Sequence, residues 1–476
     1  MPLTTTTASD LAEPRERQQD ALRAAAPATA DERRARIQAV IDLLVRHHDE
    51  FAAAIDADFG GRHPGYTLMN DVVGSLGALK HARDNLEQWM QPDERTPFAP
   101  YDQMGARCEV QYQPKGSVLI LGTWNAPLFT LLSPLAGVLA AGNTAVIKPS
   151  EITSRTAELL ARVAADALDP DVVAVVTGGA DVAQDLTSQP FDHIVVTGSA
   201  AVGKAVMANA ARNLVPVTLE LGGKSPVIVG RSADLASTAM KIAVAKATNG
   251  GQICVSPDTV YVPRRNVDAL VEAVADAFAT LHPTAAANAD VVSAVNDRHA
   301  ERVDAYVRDA AERGARVVTA PAEEPAAEDR RRALRIVVDP PADAAIRAEE
   351  IFGAAMIVQP YDTVDEVVAE VAGGPTPLAL YYFGDDDEER DHVLARTRSG
   401  GVTVNNVMMH PGMNDAPFGG LGASGMGHYN GREGFLQFSH ARTVFFAPDA
   451  DPRGEWGMLP PYGEHFTAAM KAQIAP

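Results

Sequence analysis

Cysteine is scarce in this chain of 476 residues. Only Cys108 and Cys254 occur, 146 positions apart, and neither stands in a CxxC pair or at a Cys/His ligand spacing. This pattern excludes a disulfide framework and a structural zinc site, so we expect no metal. Two isolated thiols are typical of a reducing compartment, and the sequence therefore predicts a cytoplasmic protein.

Positive charge is also in short supply. Lys and Arg number 41 against 62 Asp and Glu, which gives a net charge of −21 at pH 7. Nucleic acid and anionic membrane surfaces would be repelled, so neither is expected as a partner. The hydrophobic fraction of 46% is that of ordinary globular proteins and excludes disordered, collagen-like and coiled-coil classes. At this length we expect about three domains, or two with elaborations.

Charge is absent altogether from a stretch of 32 residues between Lys115 and Lys148. Its length would suffice to span a bilayer, but glycine, asparagine and proline interrupt it repeatedly. We therefore expect a strand at 117–121, a helix at about 128–141 and a strand at 144–147. Strands covered on both faces are continuously apolar, so the pattern favours a buried βαβ unit over a membrane span.

The same alternation continues along the chain and predicts the fold class. Short β-rich runs are separated by segments with helical spacing, which is typical of a doubly wound parallel sheet in an α/β protein. A mainly helical region at 10–90 precedes this block, and a second α/β region begins near Gly222. The expected strands lie at 118–121, 145–147, 172–176, 194–196, 217–219, 227–229, 317–318, 336–338, 355–358, 380–383 and 402–404.

One glycine-containing turn follows an expected strand and opens an expected helix. Thr197, Gly198 and Ser199 lie at the turn, and Gly203 follows within the helix. Glycines at such a place let main-chain N–H groups approach a phosphate at the helix N-terminus. The spacing differs from the GxGxxG pattern, however, and a purely structural glycine turn explains it equally well.

The segment Asn249-Gly-Gly-Gln-Ile-Cys254 carries the candidate nucleophile. A lone cysteine is more often an inert small hydrophobe than a nucleophile. The two glycines change this expectation, because they let the backbone fold tightly around an exposed side chain. The N–H of Cys254 could then face an oxyanion. Cys108 has no such turn beside it, so we expect it to be inert.

Three polar residues stand at the carboxyl ends of expected strands, where open α/β sheets place their ligand crevice. They are Glu220, Asn125 and Lys148. Each has a simpler explanation, namely a surface ion pair, a helix cap and a surface lysine. Together with Cys254 and the glycine turn, they would supply a base, an oxyanion donor, a thiol and a phosphate cradle. That combination suits the covalent oxidation of an aldehyde with a nicotinamide cofactor.

At the level of motifs, the chain resembles the aldehyde dehydrogenase superfamily over nearly its whole length. The 34 positions from Glu220 to Cys254 equal that family's spacing of base and nucleophile. The matching stretches, in chain order, are GTWNAPLF, GNTAVIKPSE, VTGSAAVG, VTLELGGKSP, NGGQICVSPD, EEIFG and APFGGLGASGMG.

The resemblance implies roles for individual residues. Cys254 corresponds to the nucleophile, and Glu220 to the base that activates the deacylating water. Asn125 and the N–H of Cys254 correspond to the oxyanion hole. The residues that the resemblance assigns to the cofactor are Lys148 and Glu151 at the adenosine ribose, Ser199 at the diphosphate with Gly198 and Gly203 nearby, Glu350 followed by Phe352 at the nicotinamide ribose, and Thr123 and Trp124.

The chain resembles one branch of the superfamily in particular. The short N-terminal region and segment 405–435 are similar to class 3 enzymes, and within that branch to bacterial coniferyl aldehyde dehydrogenases, which oxidise hydroxycinnamaldehydes to acids. The alternatives are a broad-range aliphatic or aromatic aldehyde dehydrogenase of class 3 type, and a non-catalytic structural or binding relative. The sequence leaves open whether His410, Met408 and Met409 line the substrate entrance or only pack.

Glu151 bears on the choice of cofactor. A carboxylate beside the ribose can accept from a 2′-OH, whereas it would repel a 2′-phosphate by about 4 kcal/mol at about 4 Å with an effective dielectric of about 20. We therefore expect NAD. NADP is possible as well, because rotation of the side chain would relieve the repulsion.

The resemblance also predicts the domain organisation. A dinucleotide-binding domain is expected at 1–95 and 115–221, and a catalytic α/β domain at 222–435. A small oligomerisation arm with the C-terminal tail is expected at 96–114 and 436–476. The likeness to class 3 enzymes implies a homodimer that this arm bridges.

Overall fold

The computed structural model describes residues 8–99, 101–322, 329–451, 453–454 and 456–474. The chain separates into two compact units. The larger comprises Met1–Trp89 and Pro114–Ser439, and the smaller comprises Met90–Gln113 and His440–Pro476.

The helices of the described residues are numbered in chain order. Helix α2 shows how local sequence fixes such an element: Thr29 and Glu32 form a capping box at its start, and Gly60 ends it in the left-handed conformation. A π-helix, Leu68–Val73, joins α3 to α4. The helices are α1 Ala8–Ala24, α2 Ala30–Phe59, α3 Pro64–Thr67, α4 Gly74–Trp89, α5 Phe129–Ala140, α6 Ser154–Ala167, α7 Ala180–Thr187, α8 Ala200–Ala210, α9 Leu235–Ala247, α10 Val267–Leu281, α11 Asp297–Glu312, α12 Ala345–Ala348, α13 Val364–Gly373, α14 Asp387–Arg396, α15 Gly431–Gln437 and α16 Glu464–Ile474.

The strands of the described residues form three sheets. They are β1 Asp93–Arg95, β2 Arg107–Pro114, β3 Ser117–Leu121, β4 Thr144–Lys148, β5 Val173–Val175, β6 His193–Thr197, β7 Val217–Glu220, β8 Pro226–Val229, β9 Thr259–Pro263, β10 Arg316–Ala320, β11 Leu334–Val338, β12 Ala355–Tyr361, β13 Ala379–Phe383, β14 Gly401–Val404, β15 Gly425–Met426 and β16 Ser439–Phe446.

The first sheet of the larger unit has the order β15-β7-β6-β3-β4-β5. Strands β3 to β7 are mutually parallel, and β15 pairs antiparallel with β7. Strands β3 and β4 are buried along their whole length, as is nearly all of α5 between them. The uncharged stretch is therefore a buried βαβ unit, as predicted. No helix of the described residues is long and apolar enough to cross a membrane.

The second sheet of the larger unit has the order β10-β11-β12-β9-β8-β13-β14. It is parallel except for β10, which pairs antiparallel with β11 at one edge. The expected strands of both sheets are present, whereas the short edge strand β15 and the central strand β9 were not predicted. In β9, the buried run Thr-Val-Tyr-Val before Pro263 carries the β-branched and aromatic residues that favour a strand.

The smaller unit contains the three-stranded sheet β1-β2-β16 and helix α16. Neither this sheet nor this helix was predicted from the sequence. The strands of the sheet are largely exposed or half-buried. Such strands lack the continuous apolar run that reveals a buried strand, which explains why the sequence did not show them.

Candidate active site

A cavity of about 550 Å³ lies beyond the carboxyl ends of β3, β6 and β7 in the larger unit. Most of the residues predicted to act in catalysis or cofactor binding line it. Three predicted residues do not: Lys148, Glu151 and Gly203. The predicted residues in the lining are Thr123, Trp124, Asn125, Gly198, Ser199, Glu220, Cys254, Glu350 and Phe352.

The loop before Cys254 has an unusual backbone. Asn249, Gly250 and Gly251 all lie in the left-handed region, with φ values of 51°, 60° and 74°. A Cβ on Gly251 would collide with the main-chain oxygen of Gly353, so only glycine permits this close approach. The Gly-Gly pair therefore sets the tight turn that presents Cys254 to the cavity, as the sequence indicated.

The thiol of Cys254 is not acidic by itself. Burial raises its pKa to about 12, and the nearby carboxylates of Glu350 and Glu220 add to this effect. The main-chain N–H groups of Cys254 and Val255 act in the opposite direction but more weakly. At neutral pH the thiol is therefore protonated, and a nucleophile forms only when another group takes the proton.

Glu220 is the candidate base at the end of β7. The residue is only 2% exposed, and neither carboxylate oxygen has a hydrogen-bond partner of standard geometry among the described residues. Burial raises the pKa of Glu220 well above its usual value, and the N–H of Gly420 only partly offsets this. The surface ion pair considered for Glu220 is thus wrong. An unpaired carboxyl group with a raised pKa in a cavity is suited to proton transfer near neutral pH.

Asn125 is held from two sides. Its Nδ2 donates to the main-chain oxygen of Gln252 at 3.0 Å, which brings the amide to the loop before Cys254. Its own main-chain oxygen accepts from Nδ2 of Asn249 at 3.0 Å and from Nη1 of Arg62 at 3.2 Å. Helix α5 has no side-chain cap, so the helix-cap explanation for Asn125 is wrong. The second hydrogen of Nδ2 can serve an oxyanion.

Gln252 anchors the same loop and was not singled out by the sequence. Its Nε2 donates to the oxygens of Asn249 and Ser293 at 2.9 and 3.0 Å, and its Oε1 accepts from the N–H of Val295 at 3.0 Å. All three bonds are buried. A glutamine two positions before a candidate nucleophile is a signal that could have been used.

Arg62 and Asp71 form a fully buried ion pair close to Asn125. The pair continues the support of Asn125, because Asp71 Oδ1 also accepts from the N–H groups of Leu128 and Phe129, at 3.1 and 3.4 Å. These two residues lie where α5 begins. Neither Arg62 nor Asp71 belongs to a motif, so the sequence alone gave no sign of the pair.

The predicted phosphate cradle lies at the start of α8. Ser199 caps this helix by accepting from the N–H of Val202 at 3.4 Å, and the buried hydroxyl of Thr197 in the cavity lining has no partner among the described residues. Gly203 instead packs against Leu221, and a Cβ there would come within 2.9 Å of that side chain. The N-terminus of α8 fits a diphosphate. Gly203, in contrast, allows close packing against Leu221, which matches the purely structural explanation for this glycine.

Lys148 and Glu151 form an ion pair at the end of β4. The lysine is 3% exposed, and its Nζ donates to Oε2 of Glu151 and to the oxygen of Pro149, both at 3.1 Å. The surface-lysine explanation is therefore wrong. The Glu151 side chain is about half exposed. A buried ammonium beside an accessible carboxylate offers both a donor and an acceptor, which fits the hydroxyls of a ribose.

Glu350 lies directly over the backbone that follows β7. A Cβ on Gly222 would collide with its carboxylate, and the N–H of Gly223 donates to it. Burial raises the pKa of Glu350 to about 7. Phe352 has a φ of 47°, and its ring meets that of Trp124 edge-on with centroids 5.4 Å apart. These groups fit the ribose and the nicotinamide ring of a cofactor bound beside Cys254.

The three residues whose roles the sequence leaves open, Met408, Met409 and His410, occupy different positions. Met408 lines the cavity, whereas Met409 is largely exposed outside it. The ring of His410 bonds through Nδ1 to Thr403 Oγ1 at 2.9 Å and lies 6.4 Å from that of Phe418, so it packs behind the lining. Within the described residues, no group of three or more His, Cys, Asp or Glu side chains could hold a metal ion.

Comparison with known proteins places this chain and its fold in a class of enzymes. Residues 2–444 match the model of the aldehyde dehydrogenase family, and the chain belongs to that family. It is an oxidoreductase that acts on aldehydes, and use of NAD or NADP is typical of the family. The predicted α/β fold of aldehyde dehydrogenase type is thereby confirmed.

Individual proteins support the same conclusion. The chain is 46% identical to a probable coniferyl aldehyde dehydrogenase of Caulobacter vibrioides, over 94% of this chain and 93% of the relative. It is 35% identical to a dog aldehyde dehydrogenase described as dimeric and NADP-preferring, over 87% and 89% of the two chains. The substrate-bound Staphylococcus aureus AldH superposes with a TM-score of 0.90 at 30% identity, over 97% and 99% of the two chains.

Proposed function

We propose that this chain oxidises hydroxycinnamaldehydes, such as coniferyl aldehyde, to carboxylic acids with NAD. The observation that carries the chemistry is one cavity that contains the Cys254 thiol, the unpaired Glu220 carboxyl and the Asn125 amide. The likeness to the probable coniferyl aldehyde dehydrogenase of Caulobacter vibrioides supports the substrate class. Aromatic and thioether side chains in the lining suit a planar aromatic substrate: Tyr66, Met69, Phe129, Met408, Phe418 and Tyr429.

In the proposed first half of the reaction, Cys254 passes its proton to a water molecule and so to the solvent, and its sulfur bonds to the aldehyde carbon. The carbonyl oxygen gains negative charge, which Nδ2 of Asn125 and the N–H of Cys254 stabilise by donating to it. A bound nicotinamide supplies the acceptor for the two electrons and the hydrogen that leave this carbon. Cys254 then carries the acyl group as a thioester.

In the second half, Glu220 accepts a proton from a water molecule as that water adds to the thioester carbon. The carbon–sulfur bond breaks, the acid leaves, and the sulfur of Cys254 takes up the proton from Glu220, which returns both residues to their starting states. Glu220 also supports water as the acyl acceptor, because transfer to coenzyme A or phosphate does not need this base. The product would then be the free acid.

The residues proposed for the cofactor divide into three groups. The start of α8, with Ser199, would hold the diphosphate, and Lys148 with Glu151 would hold the adenosine ribose. Glu350, with the ring of Phe352 beside it, would hold the nicotinamide ribose. Glu151 disfavours a 2′-phosphate, but its bond to Lys148 compensates part of its charge, so the discrimination against NADP is smaller than for an isolated carboxylate.

We further propose a cytoplasmic homodimer in which the smaller unit contributes to the subunit contact. The likeness to class 3 enzymes supports this assembly, as does the dog relative, which is described as dimeric. Light scattering during size-exclusion chromatography tests the proposal. A mass near twice the 50.3 kDa of the chain is expected, and the mass of a monomer or a tetramer would contradict it.

The first experiment is NADH formation by the purified protein with NAD and coniferyl aldehyde, hexanal or benzaldehyde. Cys254→Ala serves as the blank, and the wavelength is chosen free of cinnamaldehyde absorbance. We expect kcat/KM for coniferyl aldehyde to exceed the others at least about tenfold, which is about 1.4 kcal/mol of transition-state discrimination. Equal values would favour the broad-range alternative. No NADH with any aldehyde would point to a non-catalytic relative.

A further inference from the structure

The cavity wall made by residues 66–74 contains one amide side chain among larger apolar and aromatic ones. This wall includes the π-helix 68–73, a rare element that is often found at functional sites. Met69 and Asn70 of the π-helix line the cavity, whereas Asp71 is fully buried behind them. The chemistry proposed above gives Asn70 no role.

The orientation of the Asn70 amide is fixed by its neighbour. Nδ2 of Asn70 donates to Oδ2 of Asp71 at 3.2 Å. That carboxylate also faces the guanidinium of Arg62 and accepts from two main-chain N–H groups, so it acts only as an acceptor. The amide nitrogen rather than the oxygen must therefore face Asp71. The oxygen of Asn70 remains available as a fixed acceptor.

We propose that Oδ1 of Asn70 is a specificity-determining acceptor, which receives a hydrogen bond from a hydroxyl group on the ring of an aromatic aldehyde. This inference rests on the proposed function and adds the group that reads the substrate's phenol. An amide oxygen cannot donate, so it favours a hydroxyl over an ether at the same ring position. Tyr66 also lines this wall, but its hydroxyl can donate or accept and would not separate the two substrates.

The surrounding contacts make this acceptor rigid. Asp71 is held by Arg62, whose guanidinium also lies 4.7 Å from the centre of the Tyr66 ring and bonds to the main chain of Asn125. The wall that carries Asn70 is thus connected by buried contacts to the loop that carries the proposed oxyanion donor. A rigid acceptor loses little freedom when a substrate binds, so it discriminates well.

The test compares 4-hydroxycinnamaldehyde with 4-methoxycinnamaldehyde, each relative to unsubstituted cinnamaldehyde, in the full-length protein. We expect the parent to prefer the hydroxyl compound. In Asn70→Leu the ratio of the two kcat/KM values should fall by about 3- to 10-fold, the range for a single neutral hydrogen bond. The value for cinnamaldehyde itself should stay within about twofold.

Asn85→Leu is the matched control. Asn85 lies on α4 outside the cavity lining, and its Nδ2 bonds to the oxygen of His81 within the same helix. The same change of side chain at this position should leave the substrate ratio at the parent value. Asn70→Ser keeps a small polar group without the reach of the amide, and it replaces Asn70→Leu if the leucine variant does not fold.

A second readout uses pH. Raising the pH ionises the substrate's phenol, which then cannot donate to Asn70, so the difference in the substrate ratio between the parent and Asn70→Leu should disappear. An unchanged ratio in folded Asn70→Leu or Asn70→Ser would overturn the proposal while leaving the proposed function intact. If the parent oxidises hexanal but no cinnamaldehyde, the proposed substrate class fails, and the role of Asn70 fails with it.

Discussion

Two carboxyl groups of the larger unit, those of Asp71 and Glu220, are both buried but differ in their hydrogen-bond and ion-pair partners. Asp71 is fully buried and meets a guanidinium, a side-chain amide and two main-chain N–H groups. Glu220 is equally buried, and neither of its oxygens has a hydrogen-bond partner of standard geometry among the described residues. The first arrangement stabilises a wall of the cavity. The second leaves a group free to move protons, at a cost in stability.

The comparison shows how one cavity contains both rigid and reactive parts. Burial alone does not determine what a carboxyl group does, because its partners decide whether the charged form is compensated. Arg62 connects the two regions, since it pairs with Asp71 and donates to the main-chain oxygen of Asn125. The proposed oxyanion donor is therefore supported by the same guanidinium that pairs with Asp71, and it lines the same cavity as Glu220.

The largest effect is expected from Glu220→Gln. The variant keeps the shape of the side chain but cannot accept a proton, so kcat should fall by about 10²- to 10⁴-fold. A rapid initial burst of NADH should remain, because only hydrolysis of the thioester is slowed. Stopped-flow absorbance measures both phases. Hydrolysis at the parent rate would show that Glu220 is not the base.

Asn125→Ala tests the proposed oxyanion donor. Losing one oxyanion donor costs about 10²- to 10³-fold in rate, and here the initial burst itself should slow. This effect differs from that of Glu220→Gln, in which the burst persists. Parent-like turnover in Asn125→Ala would remove this amide from the mechanism.

Asp71→Asn should act mainly on stability. It leaves Arg62 charged, buried and without its counter-ion, which costs about 3–5 kcal/mol of unfolding free energy. Thermal unfolding followed by circular dichroism measures the change. Glu13→Gln is the control, because Glu13 is exposed in its pair with Arg17 and should contribute no more than about 1 kcal/mol. Equal effects of the two substitutions would contradict the assigned importance of the buried pair.

The pH dependence of stability tests the burial of Glu220. Burial raises the pKa of Glu220 above its value in the unfolded chain, so between these two pKa values the folded state binds more protons than the unfolded state. Stability contributed by this residue therefore falls as the pH rises above about 4.3, by at most about 1.4 kcal/mol per pH unit. Glu220→Gln should remove this decrease. Unfolding midpoints of parent and variant between pH 4.5 and about 8 test it, and parallel curves would contradict the prediction.

Glu151→Gln should have the smallest effect. This third carboxylate is half exposed and has a lysine partner, so its loss should change stability by less than about 1 kcal/mol. The same change removes a negative charge proposed to face a 2′-phosphate. The ratio of kcat/KM for NADP to that for NAD should therefore rise by about 5- to 10-fold. An unchanged ratio would place the adenosine ribose elsewhere.

The sequence alone predicts the main features of the fold and suggests the chemistry. Apolar runs revealed buried parallel strands, because a strand covered on both faces is mostly apolar. Polar residues directly after those strands indicated the cavity edge. The glycines before Cys254 indicated a turn that other residues cannot adopt. The exposed strands β1, β2 and β16 escaped prediction because half-buried strands have no comparable signal.

Which polar groups have partners follows only from the packing of distant segments. Nothing local in the sequence shows that Asp71 is well supplied with hydrogen-bond donors and Glu220 is not, since their environments are built by segments far apart in the chain. Arg62 and the start of α5 surround Asp71, whereas the main-chain N–H near Glu220 belongs to Gly420, 200 positions away, and only weakly compensates its charge. Electrostatic compensation depends on distances of a few ångströms, and folding alone sets those distances.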